Sequence, residues 1–225
     1  VAWDLTVPRT PYQQVWDNAA ALSPATAGVP FADIRRPMLT ISGSRGCPYR
    51  CTYCSLQSMG KRYRRRSPES IAVELDYLSQ RFGARQVGFV DPIFPLDLAQ
   101  AEAICDAFVR RRLPERLVWV CETRCDLMDR PILRTMYRAG CRRIFFGMES
   151  GVGELLTGVN KHAAPDNNRE IMRVAREEGI QTVGLFMLGL PGETPEQTER
   201  TLRYARDVGV DFAKFAITVP FPGSG

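Results

Sequence analysis

Short β-prone stretches alternate with amphipathic helical stretches from residue 38 onward, and this alternation limits the possible folds. The candidate strands are MLTIS at 38–42, QVGFV at 86–90, LVWV at 117–120, RRIFFG at 142–147, QTVGLFML at 181–188 and FAKFAITV at 212–219. Strands that alternate with helices form parallel sheets. The pattern therefore predicts an α/β fold, either a doubly wound sheet or a barrel of β/α units. Both architectures place chemistry on the loops that follow the strands.

Capping signals mark the ends of the intervening helices. SPES at 67–70 and TPEQ at 194–197 each place a hydroxyl residue at the N-cap, proline at the first helical position and an acidic residue next. Glycines follow four helical stretches, at Gly83, Gly140, Gly179 and Gly209. Glycine is favoured there because a left-handed C-terminal cap needs a positive φ. The signals predict a helix before each of these glycines.

Residues 1–37 have no clear periodicity and contain five prolines, so we interpret them as a linker or N-terminal arm. Residues 38–225 form the predicted catalytic core, and the repeat stops after the sixth strand without a further helix. We therefore expect a fragment of a longer protein. No run approaches the roughly 18–20 apolar residues of a membrane span, and no export signal is apparent. The expected location is the cytoplasm.

Three of the seven cysteines, Cys47, Cys51 and Cys54, have the spacing C-x3-C-x2-C just after the first strand. An odd number of cysteines without an export signal favours thiols or metal ligands over disulfides. A structural zinc site would need a fourth ligand, and an electron-transfer cluster normally has four thiolates. Three thiolates would leave one iron of a four-iron cluster open to a small molecule. These alternatives remain open from spacing alone.

Four stretches together resemble the radical S-adenosylmethionine (SAM) superfamily: SRGCPYRCTYCS at 44–55, GMESG at 147–151, GLPGET at 189–194 and TVPFPGSG at 218–225. The resemblance is greatest to the subgroup that carries a cobalamin-binding domain ahead of the core. It implies a partial barrel of six parallel β/α units with outer helices. It also implies that Cys47, Cys51 and Cys54 bind a four-iron four-sulfur cluster and that SAM is the second cofactor.

The resemblance also implies SAM-binding positions at the carboxyl ends of the strands. Tyr53 fits the aromatic position before the third cysteine, and Glu149 would face the ribose or the amino acid part of SAM. Leu188 and Gly189 would place backbone beside the adenine. Asp91 would reach the amino group of SAM, although the proline after it departs from the subgroup's paired acidic residues.

Arg124 follows the third predicted strand, where its guanidinium could clamp the SAM carboxylate in a bidentate manner. A surface ion pair is the alternative for this residue. The lone histidine, His162, is interpreted as a solvated loop residue. The remaining cysteines, Cys105, Cys121, Cys125 and Cys141, are interpreted as core residues rather than ligands of a second cluster.

The resemblance implies reductive cleavage of SAM to a 5′-deoxyadenosyl radical, which takes a hydrogen atom from a small-molecule substrate. A reductant such as flavodoxin or ferredoxin would supply the electron. Cobalamin-dependent C-methylation is one possible outcome in the longer protein, with cobalamin not bound by this chain. The alternative is a transfer-RNA methylthiotransferase, favoured by the basic run KRYRRR at 61–66. We interpret that run as a solvated loop, so nucleic acid is not an expected partner.

Overall fold

A computed structural model describes residues 38–56, 62–163 and 165–224. All of them belong to one compact unit, Pro37–Gly225. The N-terminal arm expected over residues 1–37 lies outside the described residues, so the division of the chain into an arm and a core stays a prediction.

The described strands are β1 (Met38–Ile41), β2 (Ser44–Arg45), β3 (Arg64–Arg65), β4 (Gln86–Phe89), β5 (Val118–Thr123), β6 (Cys141–Glu149), β7 (Gln181–Leu188) and β8 (Phe212–Ile217). All except β2 and β3 pair in parallel, in the order β1-β4-β5-β6-β7-β8. These six are the predicted strands. The sheet is open, with β1 and β8 at its edges, so the α/β prediction is confirmed as a partial barrel.

The described helices are α1 (Pro68–Phe82), α2 (Leu98–Arg110), α3 (Arg130–Arg138), α4 (Gly153–Gly158), α5 (Pro165–Glu177) and α6 (Pro195–Asp207). They occupy the connections between neighbouring parallel strands. Such connections are right-handed, which places successive helices on one face of the sheet. Among the described residues, no helix combines the length and the apolar character that crossing a membrane requires.

The predicted helix caps are present. Ser67 accepts a hydrogen bond from the backbone N–H of Ser70 at 3.2 Å, and Thr194 forms a reciprocal capping box with Gln197. Gly83 ends α1 with φ 64°, in the left-handed region. The capping residues therefore set the length of these helices as the sequence indicates.

The two faces of the sheet differ in burial. Ile144 and Phe146 on β6 are fully buried against the helices, whereas Phe145 between them is only half-buried. We call the side opposite the helices the open face. In register, it carries Glu122, Phe145, Val183 and Phe212. The helix-packed face therefore supplies most of the core, and the open face carries side chains that are less buried, except Val183 at 4% exposure.

An antiparallel ribbon, which the sequence did not indicate, pairs β2 with β3. Its two strands flank the cysteine-containing segment, because β2 ends at Arg45 and β3 begins at Arg64. The run at 61–66 was interpreted as a solvated loop, but two of its arginines form β3. Lys61, at the start of that run, lies outside the described residues.

Candidate active site

The three motif cysteines lie on a loop that begins immediately after β2. Two hydrogen bonds tie this loop to the end of α4. The N–H of Thr52 donates to the carbonyl of Val159 at 3.0 Å, and the amide of Asn160 donates to the carbonyl of Arg50 at 2.9 Å. The segment after β6 therefore supports the cysteine loop from one side.

The environment of the three thiols fits a cluster ligand set. Cys51 is buried, while Cys47 and Cys54 are half-buried. Burial raises the pKa of the Cys47 and Cys54 thiols, and backbone hydrogen bonds from Tyr49 and Leu56 respectively oppose this rise. N–H donors directed at sulfur favour the thiolate that binds metal. The loop thus offers three thiols, two of them already supported by backbone donors.

The same thiols are not arranged around one ion. Within the described ranges, no three His, Cys, Asp or Glu side chains form a group that could hold a single metal ion. In a four-iron cluster, by contrast, each thiolate binds a different iron atom.

Two of the predicted site residues, Tyr53 and Glu149, are in direct contact. The hydroxyl of Tyr53 donates to Glu149 Oε1 at 2.9 Å, although the two residues are 96 positions apart. Lys161 forms an ion pair with the same oxygen. Burial, and then the charge of Glu149, raise the pKa of Tyr53, so its hydroxyl stays a donor. The carboxylate is therefore held directly behind the cysteine loop.

Backbone geometry also distinguishes Glu149. Its φ is 59°, and the pairing of β6 with β7 shifts register between Gly147 and Glu149. A left-handed conformation at a residue other than glycine costs roughly 1–3 kcal/mol, and such residues cluster at functional sites. The surrounding contacts hold the carboxylate in a position that a regular strand would not give it.

Lys161 was not predicted from sequence. Its side chain is 5% exposed, and the Glu149 side chain is 10% exposed. Gly147 makes room for this pair, because a Cβ on Gly147 would lie 2.8 Å from Glu149 Oε1 and 3.0 Å from Lys161 Nζ. The lysine follows a helix in a polar stretch, NKHAAP, that gave no signal of burial. His162, next in the chain, is exposed.

Asp91 follows β4 and contacts the residues that lead into β2, just ahead of the cysteine loop. Its side chain is buried and accepts hydrogen bonds from the N–H of Gly43 at 2.8 Å and from the hydroxyl of Ser44. Burial raises the pKa of Asp91, and the hydrogen bond from Ser44 opposes the rise. In this arrangement Asp91 positions the loop, and its predicted contact with the SAM amino group stays a prediction.

Arg124 is already engaged within the chain. Its guanidinium forms two hydrogen bonds of 2.8 Å with the carboxylate of Asp126, donates to the carbonyl of Lys161 at 3.2 Å and lies 4.1 Å from the centre of the Tyr49 ring. The ion pair considered as its alternative role is present, with the Arg124 side chain 8% exposed and the Asp126 side chain 46% exposed. A carboxylate clamp by Arg124 stays a prediction and would require exchange of these partners.

The end of β7 combines satisfied backbone groups with unsatisfied side chains. The carbonyl of Leu188 accepts from the N–H of Thr218 at 2.8 Å. The N–H groups of Gly189 and Leu190 both donate to Glu193 Oε2. The other carboxylate oxygen, Glu193 Oε1, and the hydroxyl of Thr218 are buried with no hydrogen-bond partner among the described residues. Buried polar atoms are rarely left unpaired, so a ligand at this point would satisfy them.

The open face carries two charged side chains that were not predicted from sequence, Glu122 on β5 and Lys214 on β8. Burial, and then the charge of Glu149, raise the pKa of Glu122 to about 7, while Lys161 and Lys214 lower it. Among the described residues, the Glu122 carboxylate has no hydrogen-bond or ion-pair partner. A single glutamate in the apolar strand VWVCET was the available signal. The open face therefore carries charge as well as apolar side chains.

A small cleft, open to solvent, lies beside these groups at the carboxyl edge of the sheet. Its lining residues are Arg124, Cys125, Asp126, Gly147, Lys161, Ala163, Asn167 and Asn168. The lining includes the Arg124–Asp126 ion pair, Lys161 and two asparagines, so charged and amide groups border the cleft.

Comparison with known proteins identifies the family. The Radical SAM superfamily matches residues 41–205, which is more than half of the chain. The chain belongs to the radical SAM superfamily, and the resemblance stated from sequence is confirmed. Membership makes the protein an enzyme and implies a four-iron four-sulfur cluster and SAM as its cofactors.

Individual relatives include methyltransferases. An uncharacterized methyltransferase of Pyrococcus horikoshii is 30% identical over 198 residues, covering 88% of this chain and 41% of the relative. The anaerobic magnesium-protoporphyrin IX monomethyl ester cyclase of Cereibacter sphaeroides is 30% identical over 181 residues, covering 80% of this chain and 30% of the relative. The chain thus spans less than half the length of these relatives.

A solved structure shows the same fold. The radical SAM methyltransferase TsrM from Kitasatospora setae, with cobalamin and a [4Fe-4S] cluster bound, has a TM-score of 0.77 and 26% identity. The match covers 83% of this chain and 35% of that one. The predicted likeness to cobalamin-dependent members of the family is therefore confirmed.

Proposed function

We propose that this chain is the radical SAM core of a cobalamin-dependent C-methyltransferase, and that Cys47, Cys51 and Cys54 hold its cluster. The core extends over residues 38–225 of a longer cytoplasmic protein, and cobalamin is held by another part of that protein. With the cluster and SAM bound, the site would supply a 5′-deoxyadenosyl radical on addition of one electron. The observation that carries the proposal is the Tyr53–Glu149–Lys161 network directly behind the cysteine loop.

Glu149 is poised to accept a hydrogen bond from SAM. Both Tyr53 and Lys161 bond to Oε1, which leaves Oε2 available to an incoming hydroxyl or ammonium group. The two anchors fix the carboxylate before the ligand arrives, and such preorganisation reduces the cost of binding. Glu149 therefore binds the ribose or the amino acid part of SAM.

The adenine occupies the end of β7 in this proposal. Glu193 Oε1 offers an acceptor and the hydroxyl of Thr218 offers a donor or acceptor, both buried and unpaired among the described residues. An exocyclic amine and a ring nitrogen have the complementary hydrogen-bonding character. Leu188 and Gly189 position this edge through their own hydrogen bonds. The substrate then faces Glu122 and Lys214 on the open face.

Glu149→Gln tests the assignment. The substitution keeps the size of the side chain and removes its charge, and we expect SAM affinity to fall by about 1–3 kcal/mol for a lost charge-assisted hydrogen bond. Equilibrium dialysis of SAM against the reconstituted chain measures the effect, and iron content should not change. Glu154→Gln is the matched control, because that side chain is 79% exposed. An unchanged SAM affinity in Glu149→Gln would show that the network is purely structural.

A further inference from the structure

Positive charge is concentrated in the segment that contains the cysteines. Residues 38–66 include seven Lys and Arg residues and no Asp or Glu. The whole chain carries a formal net charge of +5, so the remaining residues have two more negative than positive charges. The excess positive charge of the protein therefore belongs to the cysteine loop and the strands beside it.

The arginines of this segment lie on both sides of the motif cysteines in the sequence. Arg45 is two residues before Cys47, and Arg50 is adjacent to Cys51. The ribbon pairs Arg45 directly with Arg64. Like charges directly opposite each other destabilise a pair of strands. Folding stability therefore gives no reason for this arrangement.

Four of the six arginines of this segment have no acidic partner among the described residues, whereas Arg65 pairs with Asp97 and Arg66 pairs with Glu74. Arg45, Arg50, Arg62 and Arg64 are exposed, and none of them has an ion pair with another described residue. Exposed arginines on the helices and at their ends, by contrast, commonly pair with acidic residues. Examples are the pairs Arg111–Glu69, Arg134–Glu178 and Arg173–Glu177. We call these four residues the arginine patch. Its charges are available to a partner of opposite sign.

The aromatic residues near the patch argue against a nucleic acid partner. Single-stranded RNA is bound by stacking bases on free aromatic rings. The ring of Tyr49 is covered by the Arg124 guanidinium at 4.1 Å. The Tyr63 hydroxyl donates to Gln100 at 3.2 Å, and its ring is half-buried. Neither tyrosine presents a free platform for a base.

We propose that the arginine patch is the docking surface for an acidic one-electron donor protein. The inference rests on the proposed function, which needs one electron from outside the chain for each SAM cleaved. The donor loses that electron and the bound cluster gains it. A patch of one sign steers an oppositely charged protein and aligns it. Because the patch adjoins the cysteines, a donor docked there has its electron close to the cluster.

The test compares Arg45→Glu/Arg64→Glu with Arg85→Glu/Arg138→Glu. The control arginines are also exposed, and they precede β4 and β6, at the opposite edge of the sheet. Binding of oxidised flavodoxin to the reconstituted chain is measured by biolayer interferometry at low and high salt. We expect the patch variant to weaken binding by about 10- to 100-fold at low salt and the control variant to change it by about twofold or less. High salt should remove most of the difference.

A second measurement separates docking from effects on the cluster. Reduction of the reconstituted chain is followed with flavodoxin hydroquinone and with photoreduced deazariboflavin, which needs no protein docking. The patch variant should slow only the flavodoxin reaction. Equal slowing with both reductants, or equal weakening by both variants, would overturn the proposal. So would a patch that binds transfer RNA tightly while flavodoxin binding is unaffected. SAM cleavage driven by deazariboflavin would leave the proposed function standing in each case.

Discussion

The helix-packed side of the sheet and its carboxyl edge differ in the side chains that they bury. The first buries neutral thiols among apolar residues, and the second buries a pair of opposite charges. On the helix-packed side, Cys105, Cys121 and Cys141 are at most 1% exposed, and burial raises the pKa of Cys121. At the carboxyl edge, buried Glu149 and Lys161 carry opposite charges in direct contact. One side stabilises the fold by apolar packing, while the other keeps polar groups that packing alone does not favour.

The cysteines give the largest expected contrast between the two regions. We expect replacement of Cys47, Cys51 or Cys54 by alanine to abolish the cluster, since the proposed cluster takes one iron ligand from each of them. Combined replacement of Cys105, Cys121, Cys125 and Cys141 by serine should leave about four irons per folded chain. Iron, sulfide and visible absorbance after anaerobic reconstitution measure both outcomes.

Among the four cysteines outside the motif, Cys125 gives the strictest test of this prediction. It lines the cleft at the carboxyl edge, yet burial raises its pKa to about 12, as expected of a packed thiol. A native protein that reconstitutes to twice the expected iron content would contradict the contrast. Full cluster retention by any single variant of the motif cysteines would contradict it equally.

Lys161→Met should give the next largest effect. The substitution leaves Glu149 buried without its counter-charge, and removal of one member of such a pair typically costs about 3–5 kcal/mol of unfolding free energy. Urea unfolding of the cluster-free chain measures the loss. The double variant Lys161→Met/Glu149→Gln, which removes both charges, should recover much of it. If the double variant is no more stable than Lys161→Met, the charge pair is not the cause.

Glu122 should make the stability of the chain depend on pH. Burial raises its pKa from an ordinary value of 4.5 to about 7, ahead of the effect of Glu149, with Lys161 and Lys214 opposing. The folded chain then holds a proton that the unfolded chain has lost, so stability falls as pH rises from 4.5 through 7. Glu122→Gln should remove this loss, which is about 3 kcal/mol at most.

Urea midpoints on both sides of this interval measure the effect of Glu122→Gln. The variant should be more stable than the wild type above the interval, and the difference should shrink toward its lower end. A difference that is independent of pH would mean that Glu122 is hydrated in the folded chain. Phe145→Leu, a neutral change beside it in the register, provides a control for packing on the open face.

The smallest effect is expected on the outer surface of the helices. Arg134 forms an ion pair with Glu178 at 2.9 Å, but its side chain is half-exposed. Exposed ion pairs contribute little because water and salt screen them. Arg134→Ala should therefore leave the urea midpoint close to that of the wild type. A loss comparable to that of Lys161→Met would remove the distinction between the two regions.

The sequence predicted the framework well because local rules govern it. Periodicity located the six parallel strands, and the caps at Ser67 and Thr194 follow from the residues themselves. The cysteine spacing and the neighbouring tyrosine indicated the cluster loop. Glu149 was predicted as a site residue, although its contact with Tyr53 depends on how β6 meets the loop.

Lys161 could not be predicted, because its burial depends on how the turn after α4 packs against Glu149 and Gly147 of β6. No periodic pattern in the sequence indicates that packing. The ribbon was missed since two strands of two residues each give no periodic signal. Arg124 shows a related difficulty. Its position was read correctly, but the partners that occupy its guanidinium come from three separate segments.

The left-handed backbone of Glu149 has a consequence for protein engineering. Glycine would adopt φ 59° without strain, but Glu149→Gly would also delete the carboxylate that anchors Tyr53 and Lys161. The buried Lys161 charge would then be unpaired, which costs about 3–5 kcal/mol, against roughly 1–3 kcal/mol of backbone strain relieved. A directed-evolution campaign that selected only for thermal tolerance would therefore tend to retain the proposed SAM ligand, because the same carboxylate is needed to keep a buried lysine paired.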